Sequence, residues 1–104
     1  MLASDTDVEF LEGNALDVTV EFRVADMLTD PTTVTFKMRR ADVESPTALI
    51  FGTDADVKRD AQGKFRYSGQ FAPGTWLYWW IGTGLAEATT KGRFRVVPLD
   101  TGVR

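Results

Sequence analysis

The 104-residue chain has no cysteine and no histidine. The first absence excludes disulfides, thiolate metal sites and a cysteine nucleophile. The second excludes histidine-ligated zinc and Ser-His-Asp chemistry, and it removes the commonest general base. Both point away from most enzymes, so the expectation is a non-enzymatic protein with no cofactor and no metal. Long hydrophobic runs are missing too. The longest, Trp76 to Ile81, falls far short of the ~20 residues a spanning helix needs. The opening Met1-Leu2-Ala3-Ser4-Asp5-Thr6-Asp7 is acidic where a secretory signal is basic and then apolar. A soluble protein made in a reducing cytoplasm, with no membrane partner, is expected. Nucleic acid is disfavoured by the net charge of -3, since nucleic-acid affinity comes largely from cations on phosphates.

What remains is 43% hydrophobic and 12% aromatic, enough for one core in a single domain of ordinary size. Nearly the whole chain alternates with period two. Leu16, Val18, Val20, Phe22 and Val24 interleave with Asp17, Thr19, Glu21 and Arg23. That pattern belongs to a strand with one buried and one wet face, and no helix would produce it. The same rule predicts strands over Thr33 to Arg39, with Val34, Phe36 and Met38 inside, and over Lys64 to Phe71, with Phe65, Tyr67 and Phe71 inside. Thr75 to Ile81 and Lys91 to Val97 follow, the latter with Phe94 and Val96 inside. Shorter strands fit Val8 to Leu11, Ala48 to Phe51 and Val57 to Arg59. Asp60-Ala61-Gln62-Gly63 reads as a turn closed by glycine, Pro73-Gly74 as a corner, and Gly82-Thr83-Gly84 as a turn. No helix longer than one turn is expected, and Leu85 to Ala88 suits a loop.

Seven or eight short strands with turn signals every 8–12 residues predict an all-β fold, a single antiparallel immunoglobulin-like sandwich with its core over residues 8–97. In that arrangement 8–11, 16–24, 57–59 and 64–71 form one sheet. The strands at 33–39, 75–81 and 90–97 form the other, with 48–51 on its edge. Opposite charges on Asp17/Glu21 and Lys64/Arg66 suit neighbouring strands.

Pro73 to Gly84 is the most informative segment. Trp76, Tyr78 and Trp80 alternate with Leu77, Trp79 and Ile81. The larger trio buries more area and is assigned to the core, alongside Phe22, Phe36, Phe65, Tyr67 and Phe94. Leu77, Trp79 and Ile81 then face outward, with Lys37 and Arg39 expected on one side and Arg93 and Arg95 on the other. Such a strip is either a self-contained ladder of aromatic ring and cation stems or a docking surface for another protein chain. A third reading is a flat aromatic platform for a sugar, as in a carbohydrate-binding module. The acids Asp54, Asp56 and Asp60, and Asp5, Asp7 and Glu9, match no calcium-loop spacing and read as solvated loops. Residues 1–30 hold eight acids and one Arg, and residues 31–104 eleven cations and seven acids. An acidic N-terminal end and a basic, Trp-bearing face would suit head-to-tail packing of copies.

The ordered set Asp30-Pro31-Thr32-Thr33-Val34, Val57-Lys58-Arg59-Asp60 with Gly63-Lys64-Phe65, Pro73-Gly74-Thr75-Trp76 to Gly82-Thr83-Gly84, and Gly92-Arg93-Phe94-Arg95-Val96 resembles the small immunoglobulin-like structural proteins of tailed bacteriophages and prophages. The resemblance covers about residues 16–97. It implies a virion component, such as a head–tail connector, neck or capsid-decorating protein. Its implied partners are portal, capsid or tail-side subunits and copies of itself, with no catalytic motif.

Overall fold

The computed structural model describes residues 8–98. Ten strands follow in chain order: β1 (Val8–Leu11), β2 (Leu16–Glu21), β3 (Arg23–Val24), β4 (Met27–Leu28), β5 (Thr33–Arg40), β6 (Thr47–Ile50), β7 (Val57–Ala61), β8 (Lys64–Gly69), β9 (Gly74–Thr83) and β10 (Ala88–Val97). They form a five-stranded sheet ordered β1-β10-β9-β5-β6, a three-stranded sheet ordered β2-β8-β7, and a small β3-β4 hairpin. Taken as B, E and D against G, F, C and C′, the two sheets have the strand order of a variable-type immunoglobulin sandwich. The fold is all-β, and no helix occurs among the described residues.

Alternation builds each layer. β2 is buried at Leu16, Val18 and Val20 and exposed between them. Val34 and Phe36 of β5, Phe65 and Tyr67 of β8, Trp80 of β9 and Phe94 and Val96 of β10 complete the core with Phe22, Val57, Phe71 and Ala86. Antibody domains centre on a disulfide with a Trp packed against it. Here stacked aromatics bridge the sheets instead. Phe36 lies 4.6 Å from Trp80 and 4.8 Å from Tyr67, ring centre to ring centre, and Phe71 meets Phe94 at 4.9 Å. Trp76 and Tyr78 are half-buried and pack against this core. The Trp76 indole N–H donates to the Ala72 carbonyl at 2.9 Å, so its polar atom is satisfied at the rim.

Several expectations need correction. Val8 to Leu11 joins the other sheet, running parallel to β10. The Phe10 ring packs edge-on against Phe94 at 5.9 Å and Glu9 reaches Arg95 at 3.3 Å, contacts that only β10 offers. The strand expected over 16–24 ends at Glu21. Phe22 donates its N–H to Gly63 O at 2.7 Å while its carbonyl accepts from Thr29 N at 2.9 Å. The chain then doubles back through Ala25 and Asp26, both at positive φ (50° and 67°), as a two-residue hairpin turn with both central residues left-handed requires. Val24 is therefore exposed, not core. β8 stops at Gly69, although Phe71 remains buried. β7 runs on to Ala61 through an irregularity at Arg59/Ala61, so the turn narrows to Gln62 and Gly63. Gly63 sits at φ 73°, and a Cβ there would come within 2.8 Å of both Phe22 O and Thr29 N, so a side chain is excluded. β9 continues through Thr83, leaving Gly84 to Glu87 as the connecting loop.

Candidate functional site

β9 is the central strand of the five-stranded sheet, and of the three residues assigned to its core face Trp76 and Tyr78 are only half-buried. Trp80 is fully buried, whereas Leu77, Trp79 and Ile81 are half-buried on the outer face. The register decides their neighbours. Trp79 stands between Lys37 of β5 and Lys91 of β10, Leu77 between Arg39 and Arg93, and Ile81 between Thr35 and Thr89. Ala48 and Ile50 of β6 extend this face past Lys37 and Thr35. The result is an apolar band across the sheet with cations above and below its middle. Leu77, Trp79, Lys91, Gly92 and Arg93 line an open depression of about 310 Å³. On the opposite, inner face the Tyr78 ring covers Gly92 and would collide with a Cβ there.

Arg95 does not flank Trp79. It lies opposite Thr75 and pairs with Glu9 at 3.3 Å. Its expected place is taken by Lys91, whose direct register with Trp79 is a two-strand property that residue spacing does not show. Arg39 turns away from Trp79: one guanidinium nitrogen donates to the carbonyls of Val43 at 2.9 Å and Ala41 at 3.2 Å, tying down the β5–β6 loop. Lys37 and Lys91 form no ion pair with any described residue. The outer face thus bears Lys37, Arg39, Lys91, Arg93 and Arg95, with Glu9 as the one acid among its strand residues.

The acids are placed differently from a metal site. Asp54 accepts the Ile50 N–H at 2.7 Å, closing the loop after β6, and Asp60 pairs with Arg66 at 3.2 Å. No cluster of three acids that could hold a metal occurs among the described residues. Asp5 and Asp7, with the acidic N-terminal end they define, lie outside the described residues. One structural acid escaped the sequence reading. Asp30 accepts from Arg59 at 2.9 Å and from the Gly63 N–H at 2.7 Å, joining the β4–β5 connection to the β7–β8 turn. The Arg59 hydrogen bond, then the Gly63 N–H, holds the Asp30 carboxyl below its ordinary pKa.

No family model and no curated protein matches this chain. Among solved structures it is similar to the ZIG-8 IG1 homodimer, at 12% identity and TM-score 0.46, over 93% of this chain and 84% of that one. It is also similar to a structure from photo-crosslinking analyses of multimeric cell-adhesive interactions of VGSC beta subunits, at 10% identity and TM-score 0.47, over 97% and 99%. At these identities the likeness concerns the shape of the sandwich and carries no statement about activity or partners.

Proposed function

We propose that the chain is a non-enzymatic structural subunit that acts by docking other protein chains onto the outer face of its five-stranded sheet. The observation that carries this reading is the Leu77-Trp79-Ile81 strip, central on that sheet and bordered by Lys37 and Lys91. Trp beside cations is a frequent composition of interface anchors. The basic rim makes packing of this face on its own copy repulsive, so the partner surface is acidic and the contact between copies heterologous, as in a ring. The resemblance to small phage immunoglobulin-like proteins supports placing the subunit in a virion, made in the bacterial host. There it would contact copies of itself and portal, capsid or tail-side proteins.

The test is the mass of the purified protein across concentration and salt, together with its presence in purified particles. Assembly that weakens at high salt, and that Trp79→Ala abolishes in a folded protein, supports the reading. A protein absent from particles and monomeric at all concentrations overturns it. Saturable quenching of Trp fluorescence by a glycan, lost in Trp79→Ala, would instead favour the carbohydrate-binding alternative.

A further inference from the structure

A second surface lies at one end of the sandwich. β2, β7 and β9 run towards this end, and β5, β8 and β10 start from it. The β3–β4 hairpin, the Gln62-Gly63 turn and the Gly84 to Glu87 loop therefore sit there together. They are tied to one another and to the strands. Asp30 holds Arg59 and the Gly63 N–H. Gln62 Nε2 donates to Leu28 O at 3.0 Å, and the Leu85 N–H donates to Thr32 Oγ1 at 3.3 Å. Loops held in place before a partner arrives lose little further freedom on binding.

This anchoring leaves apolar side chains in water. Val24 and Met27 are cross-strand partners in the hairpin, so they share one side of it, and Met27 is 70% exposed. Ala86 turns into the core while its neighbour Leu85 is 77% exposed. Two carboxylates lie in the same loops. Arg23 pairs with Glu21 and donates to the Asp26 backbone carbonyl at 3.0 Å, so the Asp26 carboxylate itself has no partner among the described residues. Glu87 forms no ion pair with any described residue either. Other surfaces match the basic outer face less well. At the opposite end Leu11 and Val43 are less than half exposed, and Arg39 and Arg40 stand beside Asp42. After β6, the Phe51 ring packs on Phe65 at 5.2 Å and Asp54 is taken by the Ile50 N–H.

Resting on the docking-face reading, we propose that the occupant of that face is this loop end of a second copy. Val24, Met27 and Leu85 cover the Leu77-Trp79-Ile81 strip, and Asp26 and Glu87 lie beside Lys37 and Lys91. The apolar side chains carry the affinity, and the charges set approach and register. An end and a face are different parts of the molecule, so copies add in series and close into a ring or run on as a filament. Asp5 and Asp7, outside the described residues, are a competing source of negative charge for the same face, and the test separates the two.

The test follows assembly of the full chain by sedimentation, with the thermal midpoint as the control for folding. Met27→Ser with Leu85→Ser should raise the concentration needed for assembly by on the order of tenfold or more and leave the midpoint unchanged. Mixed with Trp79→Ala, this loop variant should form a heterodimer and nothing larger, because one intact end then meets one intact face. Asp26→Lys with Glu87→Lys, and Lys37→Glu with Lys91→Glu, should each block assembly alone and restore it when combined in one chain. Assembly unaffected by both loop variants overturns the proposal, and its loss on deleting residues 2–7 would then give the face to the N-terminal acids. Failure of the mixed variants to pair at on the order of a hundredfold the wild-type assembly concentration overturns it as well. So does a wild-type protein that stays monomeric, and the docking face then stands or falls on the protein's presence in particles.

Discussion

The two outer faces of the sandwich use charge in opposite ways. On the three-stranded sheet, Glu21 meets Lys64, and Arg66 meets Asp17 and Asp60, while Ser68 Oγ donates to Asp17 at 2.6 Å. Most charges of that face pair within it, although Lys58 stands opposite Arg66. On the five-stranded sheet, Lys37 and Lys91 flank an indole with no acid in register. The Glu9–Arg95 ion pair sits at the edge. Both faces are charged and both are half-covered by long side chains, so composition does not tell them apart. What separates them is where the ion pairs sit: along the middle of the three-stranded sheet, but at the edge of the five-stranded one, whose central indole is flanked by two lysines.

The difference between adjacent residues of β9 makes the sharpest test. Trp80→Ala should cost about 3–5 kcal/mol, read as a large drop in the denaturant midpoint, because the indole is sealed against Phe36. Trp79→Ala should cost the monomer about 1 kcal/mol, yet weaken self-assembly or partner binding by about 2 kcal/mol or more if it is an anchor. Unfolding by Trp79→Ala would reverse the assignment of the two faces. Next in size, Lys37→Ser with Lys91→Ser should leave the thermal midpoint nearly unchanged. It should also remove much of the salt dependence of assembly, measured by sedimentation at low and high salt.

On the three-stranded face, Arg66→Ala should cost only about 0.2–1 kcal/mol, with no effect on assembly, because exposed pairs are strongly screened. A defect in assembly would show that this face docks as well. The smallest effect concerns pH. The carboxyls of Asp30, Glu21 and Asp42 all lie below their ordinary values, each chiefly through an arginine hydrogen bond: Arg59, Arg23 and Arg40 respectively. A carboxylate depressed in the folded state contributes stability above its unfolded pKa, about 4, and loses it as pH falls through the folded value. Stability should therefore be flat from neutral pH down to about 5 and decline below about 4. Asp30→Asn should shallow that decline in acid titrations followed by Trp fluorescence.

Much of this was legible beforehand because the period-two pattern is a local property. The alternation through Leu16 to Glu21 and Val34 to Met38 named the inward residues. Sheer size placed Trp80 inside and Trp79 out, and the Asp17/Glu21 and Lys64/Arg66 complementarity anticipated the β2–β8 pairing. Boundaries fared worse where the backbone broke its own pattern. Val24 continues the alternation in sequence, but the chain turns at Ala25-Asp26, residues that rarely announce a left-handed turn. Asp30 gave no sign of its structural role because its partners, Arg59 and Gly63, are distant along the chain.

The sequence by itself determined which side of each strand is wet, since that depends only on alternation and side-chain size. It could not determine register or sheet membership, which depend on how residues far apart in the chain meet. Val8 to Leu11 has equal claim on either sheet until Phe10 meets Phe94. Likewise Lys91 becomes the neighbour of Trp79, and Arg95 of Glu9, only once β10 takes its place beside β9 and β1. The surface on which function is proposed was thus decided by tertiary pairing: partners across strands, not residues along one, set which charges surround Trp79.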